Sequence, residues 1–194
     1  LEKRYLRKDI DGSISETPEN MFHRVAEAIA AAELIYDPCA NLSQKQDEFY
    51  RMMANLEFLP NSPTLLNAGR DKGQLSACFA IPIEDSVEAI FDAVKQTALI
   101  HKSGGGTGYS FSRLRPTGDC VNNEADIAVG PVDLIPLFSA ASAVIRQGGV
   151  RFGCSIGVLS VNHPDILKFI TAKNAPDAIT NFCISVAVTD EFMR

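Results

Sequence analysis

The sequence predicts an α/β fold, with a small N-terminal helical layer followed by strands and helices that alternate into a sheet or barrel. Three observations carry this reading. Apolar residues recur at helical spacing through the first 57 or so residues. The composition changes at Phe58, where a run with several prolines and asparagines begins. Beyond that run, apolar stretches without charge alternate with capped helical segments. The expected division is 1–57 for the helical domain and 58–194 for the α/β part.

The elements follow in order. Residues 1–16 are polar and mixed, and read as an arm or short strand. Thr17-Pro18-Glu19 starts a helix with a capping hydroxyl and a proline at the first helical position, and Phe22, Val25, Ala26, Ile29 and Ala30 give it an apolar face. Ile35-Tyr36-Asp37-Pro38 breaks the pattern. Ser43-Gln44-Lys45-Gln46 fits a capping box, and Phe49, Met52, Met53 and Leu56 form the next face. Residues 58–69 read as a loop, and 75–83 as a buried strand. Asp85-Ser86-Val87-Glu88 caps a helix that ends in the glycine cluster 104–108. Residues 109–114 read as a strand, 116–130 as a polar loop, and Pro131 opens a helix ending at Gly148-Gly149. Residues 154–161 and 181–188 read as strands on either side of a short helix over 164–172. The last segment, Thr189 to Arg194, looks like a helix cut short, and a sheet ending there leaves an open edge. The expectation is a piece of something larger.

Charge and cysteine usage exclude several classes. The chain has 194 residues and a net charge of −6, so a blanket electrostatic grip on nucleic acid is excluded, and an anionic ligand must be held by a few placed donors. No apolar run approaches the roughly 20 residues that span a bilayer, and the first residues lack the apolar stretch of a signal peptide. The absence of an initiator Met points to a trimmed chain. The five cysteines are widely spaced and contain no C-x-x-C pair, which disfavours a zinc site or a secreted disulfide scaffold. They suit a reducing, cytoplasmic compartment. No histidine pair has metal-ligand spacing, so no metal site is expected.

Several motifs have two readings from spacing alone. Gly104-Gly105-Gly106-Thr107-Gly108 lies after a helix and before a strand, the reverse of a dinucleotide fingerprint or P-loop; it is a backbone approach to a ligand or an elaborate turn. Asn61-Ser62-Pro63-Thr64 could donate to a phosphate or form a satisfied turn. Gln147 to Gly153 could clamp a base and a phosphate or simply cap a helix. His163 reads most simply as a helix-start residue.

Taken together, the motifs resemble one family. Leu59-Pro60-Asn61-Ser62-Pro63-Thr64-Leu65-Leu66-Asn67-Ala68-Gly69, Leu75-Ser76-Ala77-Cys78-Phe79, Lys102-Ser103-Gly104-Gly105-Gly106-Thr107-Gly108 and Phe111-Ser112-Arg113-Leu114-Arg115-Pro116 are similar to the large catalytic chain of ribonucleotide reductase. Arg146-Gln147-Gly148-Gly149, Asn162-His163-Pro164-Asp165 and Val186 to Met193 extend the match. The wording is nearest the adenosylcobalamin-dependent class II.

The resemblance implies a ten-stranded α/β barrel behind a helical domain, of which this chain supplies the helical part and the opening strands. It implies replacement of a ribonucleotide 2′-hydroxyl by hydrogen: a thiyl radical takes the 3′-hydrogen and a cysteine pair gives two electrons. Cys78 matches the first cysteine of that pair, Ser62 a substrate-phosphate contact, Ala77 the substrate-lining strand and Gly106 a backbone contact to substrate. Asp85, Ser86 and Val87 match the start of the helix that holds a deoxynucleotide (dNTP) or ATP effector, and Arg115 an effector-phosphate contact. Residues 116–126 correspond to specificity loop 1 and 149–155 to loop 2, with Arg151 in its middle. The implied partners are a ribonucleotide substrate (tilted toward diphosphate), the effector, a thioredoxin-type reductant and a second copy of the chain, with adenosylcobalamin bound outside this segment.

Two departures matter. Loop 2 reads Arg151-Phe152-Gly153-Cys154-Ser155 where the family has a second Arg and an Asn, which weakens the expected base readout. Asn181-Phe182-Cys183 imitates the Asn-x-Cys-x-Glu radical motif, but Ser185 stands where the Glu belongs, so Cys183 reads as an ordinary strand cysteine. With no radical cysteine or second redox cysteine, this segment alone is expected not to turn over. The competing reading is a short regulatory or split-subunit relative that binds deoxynucleotide without catalysis.

Overall fold

The computed structural model describes residues 1–71, 73–121, 124–147, 151–174, 179 and 181–194. It forms two compact units, Leu1–Ala77 and Cys78–Arg194.

The first unit is helical. Its elements are α1 (Pro18–Ala30), α2 (Glu33–Tyr36), α3 (Leu42–Ala54) and α4 (Ser62–Asn67). Thr17 caps α1 by accepting a hydrogen bond from the Asn20 N–H at 3.1 Å. Met21, Val25 and Ala26 of α1 pack with Met53 of α3, Leu65 and Ala68 around α4, and Leu6 of the arm. Each of the Val, Leu and Met side chains contributes about 1.5–3 kcal/mol on burial. The cap of α3 is Asn41, two residues before the capping box read from sequence, because the Asn41 carboxamide already satisfies the Gln44 N–H. The run read as a loop over 58–69 contains α4, capped by Asn61, which accepts from the Thr64 N–H at 2.8 Å.

The arm is tied down by one carboxylate. Glu16 accepts from Arg24 Nε at 2.7 Å and from the Arg7 N–H at 2.9 Å. Arg24 also donates to the carbonyls of Leu65, at 3.1 Å, and Ala68, so α1, α4 and the arm share one guanidinium. Burial by itself would raise the Glu16 pKa; the Arg24 hydrogen bond, the Arg7 N–H and the charges of Arg24 and Arg70 outweigh it and hold the carboxyl below its usual range.

The helical unit therefore extends past the composition change at Phe58, to Ala77. Leu75 joins the helical core, and its carbonyl accepts from Thr64 Oγ1 at 3.3 Å. This also shortens the strand expected over 75–83. Strand β1 is Cys78–Ile81, and Pro82, which has no N–H to give a ladder, ends it.

The second unit continues with α5 (Val87–Ser103), β2 (Gly106–Ser110), β3 (Cys120–Val121), β4 (Glu124–Ile127) and α6 (Pro131–Val144). Then come β5 (Arg146–Gln147), β6 (Arg151–Phe152), β7 (Ser155–Ser160), α7 (Ile166–Thr171), β8 (Phe182–Ala187) and α8 (Asp190–Met193). Its main sheet is parallel, in the order β1-β2-β7-β8. Parallel strands need long connections, and α5, α6 and α7 lie in them. Ile81, Tyr109, Phe111, Val132, Ile135, Phe138, Leu159, Phe169 and Phe182 form the core between sheet and helices.

The glycine cluster divides its roles. Gly104 is the left-handed cap of α5, at φ +99°. A Cβ on Gly105 would come within 2.6 Å of Phe79 and 2.7 Å of Ile100. Gly106 and Gly108 are strand residues, so β2 begins inside the cluster and not after it. Helix α6 stops at Val144, short of the expected Gly148-Gly149, because Ile145 is extended and the chain enters β5.

Candidate functional site

Among the described residues of the second unit, α5, α6 and α7 pack against the buried face of the parallel sheet. On β2, Thr107 and Tyr109 are buried while Gly106 and Gly108 alternate with them. The register places Ala80, Gly108, Ile156 and Cys183 in one row across the sheet, and Cys78 beside Gly106 at its N-terminal edge. Cys78, Ile156 and Cys183 are exposed on the other face. Cys78 bears a free thiol next to a backbone with no side chain, which lets a flat ligand approach both. Cys183 stands three strands away, on the order of 14 Å at about 4.8 Å per strand. A disulfide needs Cα atoms within about 7 Å, so Cys183 is not the redox partner of Cys78 here. A cavity of about 630 Å³ opens farther along this side, lined by Ala80, Gly108, Ser110, Arg113 and Val158.

The loops at the other end of the sheet gather polar groups. Asp85 follows β1, Arg115 follows β2, and His163 and Asp165 follow β7; these are the C-terminal ends of three adjacent strands. Arg115 Nε donates to Asp85 Oδ2 at 2.6 Å, and its Nη2 to the Asp85 carbonyl at 3.5 Å. Ser86 caps α5, accepting from the Ala89 N–H at 3.2 Å. Val87, the first residue of α5, is 73% exposed and offers an apolar surface beside the ion pair. Asp85, Ser86, Val87 and Arg115 thus converge.

Behind the sheet runs a chain of buried hydroxyls. Thr97 donates to the Ala93 carbonyl at 2.8 Å, so the Tyr109 hydroxyl, 2.6 Å away, donates to Thr97. Thr107, 2.6 Å from Tyr109, then donates to it and receives from His101 Nε2 at 3.0 Å. The sequence of donors makes His101 the Nε2–H tautomer and leaves Nδ1 as a buried lone pair without a partner. Burial holds the His101 pKa below its ordinary value.

The remaining expected residues are distributed. Ser62 lies in the helical unit as the first residue of α4, its hydroxyl 3.0 Å from that of Tyr5. Ala77 directly precedes Cys78 at the end of that unit. Arg151 lies in β6; its side chain, Asn122 and Asn123 of loop 1, and Gly149 and Val150 of loop 2 are outside the described residues. Sequence reasoning passed over His101, His163 and Asp165, which hold the polar framework. The signal for the last two was the spacing in Asn162-His163-Pro164-Asp165, where Pro prevents a helix from absorbing either side chain.

Comparison with known proteins decides the family. Residues 76–194 match the model of the ribonucleotide reductase barrel domain, and residues 1–73 that of the ribonucleotide reductase all-alpha domain. The chain belongs to the ribonucleotide reductase family. It is 42% identical to a vitamin B12-dependent ribonucleoside-diphosphate reductase of Thermoplasma acidophilum over 99% of this chain and 32% of that protein. It is 45% identical to the protein of the same name in Mycobacterium tuberculosis, strain CDC 1551 / Oshkosh, over 100% of this chain and 28% of that one. A ribonucleoside-diphosphate reductase subunit alpha of Helicobacter pylori, strain J99, is 33% identical over 91% of this chain and 22% of its own length. The reductase chain described here thus spans less than a third of the curated relatives it matches. Its α/β unit is the part that matches the family's barrel domain. No helix among the described residues is long and apolar enough to cross a membrane.

Proposed function

We propose that the full natural chain carrying this sequence reduces ribonucleoside diphosphates to deoxyribonucleotides. The observation that carries this is Cys78, a free and exposed thiol on the parallel sheet, paired in register with Gly106. In the reaction the ribose 2′-hydroxyl leaves as water, C2′ gains a hydrogen, and two thiols become a disulfide. Cys78 supplies one of those two electrons and one proton, and a second cysteine elsewhere in the chain supplies the others. The Gly106 backbone binds the substrate beside it; the family resemblance gives Ser62 the role of a substrate-phosphate contact and Ala77 that of a substrate-lining residue. A thioredoxin-type dithiol regenerates the pair, which suits the cytoplasm.

Asp85, Ser86, Val87 and Arg115 bind a deoxynucleotide or ATP effector, and Arg151 of loop 2 carries its identity toward the substrate. A second copy of the chain meets α5, along which Val87, Phe91 and Leu99 are exposed apolar residues, with Val87 at the end that the effector also needs. Two relatives are named as vitamin B12-dependent, which supports adenosylcobalamin as the cofactor that would supply the radical when bound.

The test uses the full chain with adenosylcobalamin, dithiothreitol and CDP. The wild type forms dCDP, Cys78→Ser forms none above background while retaining its fold, and residues 1–194 alone form none. Turnover by Cys78→Ser at the wild-type rate overturns the reading.

A further inference from the structure

We propose that His163 and Asp165 are positioning residues for the effector site, clamping the backbone on both sides of Arg115 so that its guanidinium is held over the start of α5. The inference rests on the reading of Arg115 as an effector-phosphate contact and adds the part that sets its geometry.

The clamp is visible atom by atom. The Leu114 carbonyl lies 2.9 Å from His163 Nε2. A carbonyl only accepts, so Nε2 carries the proton. The Asp165 N–H donates to His163 Nδ1 at 3.1 Å, so that nitrogen presents its lone pair. Both ring nitrogens are committed and one tautomer is specified. Asp165 Oδ2 in turn accepts from the Thr117 N–H at 2.9 Å and from Thr117 Oγ1 at 3.2 Å. Arg115 therefore has a fixed carbonyl one residue before it and a fixed amide two residues after it.

Neighbouring structure closes the arrangement. A Cβ on Gly130 would overlap Thr117 Oγ1 and approach Asp165 Oδ2 at 2.5 Å, so only a glycine lets the start of α6 lie against the clamp. His163 is 7% exposed and follows β7, and a buried imidazole without partners would be costly. Meanwhile Arg115 and Asp85 remain about a third exposed, open to a ligand. A guanidinium has five N–H donors, and the two contacts to Asp85 use two of them. Donors remain for a phosphate, provided that the arm carrying them does not drift. A loose loop would spend binding energy on ordering Arg115, and the clamp removes that cost in advance.

The effect belongs to the phosphates and not to the base, because the clamp touches only the arm that carries Arg115. The experiment titrates the full natural chain with the four deoxynucleoside 5′-triphosphates, then takes the tightest and its monophosphate through a set of variants. His163→Ala and Asp165→Ala weaken the triphosphate tenfold or more and the monophosphate by less than threefold. His163→Gln recovers most of the loss, because its amide can donate to Leu114 O and accept from the Asp165 N–H. Asp165→Ala removes a half-buried loop side chain, so it carries the test if His163→Ala does not fold. If Arg115→Ala binds the triphosphate like the wild type, or no triphosphate binds at all, the effector reading itself fails. If Arg115→Ala binds weakly while folded His163→Ala and Asp165→Ala bind like the wild type, or lose triphosphate and monophosphate equally, the clamp is overturned and the effector reading stands.

Discussion

Gly153 lies flat against the imidazole of His101: a Cβ at Gly153 would overlap Nδ1 and Cγ and come within 2.6 Å of Cε1. His101 sits near the C-terminal end of α5, and Gly153 at the entrance to β7. The contact joins the far end of the candidate effector helix to the strand next to β2. It also explains the unpartnered Nδ1, which faces a Cα and not a donor.

Gly153→Ala is expected to destabilise the chain by about 1–3 kcal/mol, the usual cost of overpacking. In a His101→Ala background the same change should cost much less, since the ring it collides with is gone. Chemical denaturation of the four forms gives the coupling directly. Additive losses would show that Gly153 is not limited by His101.

His101 also predicts an acid dependence. Its pKa is depressed by burial in the fold, so the unfolded chain takes up the proton first. Stability from this group is full above about 6.5 and falls as the pH drops below it, by up to about 1.4 kcal/mol per pH unit, until the lower folded-state pKa is passed. His101→Gln should flatten that slope between pH 5 and 6.5, as read by urea midpoints across the range.

Tyr109→Phe and Thr97→Val each interrupt the hydroxyl chain behind the sheet. Each should cost about 1–2 kcal/mol, because a buried neighbour is left unsatisfied. The double variant should cost less than the sum, since the second loss removes a partner that no longer has one. Strict additivity in thermal denaturation would argue against a connected chain.

Glu16 controls the helical unit. Glu16→Gln should destabilise it by about 2 kcal/mol, through uncompensated Arg24 and Arg70. Its folded pKa is lowered, so its contribution is present above the ordinary Glu value of 4.5 and is lost as the pH falls through the lower folded value. The variant should therefore show a shallower loss of stability below pH 4.5. An unchanged acid profile would contradict the assignment.

Much of the fold was legible in the residues. Thr17-Pro18 starts α1 because a hydroxyl cap and a fixed φ are local devices, and Ser86 caps α5 for the same reason. Local signals misled where tertiary partners competed. Ser43 fits a capping box, yet Asn41 caps α3; Leu75 reads as strand, yet the helical core takes it. The motif string around Cys78 and Gly106 named the family, but not that the two residues are neighbours in register.

The sequence by itself determined the helical start, the alternation of strands and helices, the family and the identity of the candidate thiol, because each is written in short-range spacing or in contiguous motifs. Tertiary structure alone decided that Cys78 lies beside Gly106, that Cys183 is three strands away, and that His163 and Asp165 grip the arm of Arg115. Those facts depend on strand order and register, which bring together residues some fifty positions apart, such as Leu114 and His163. No local periodicity encodes such a meeting; it follows from packing α5, α6 and α7 on one side of a parallel sheet.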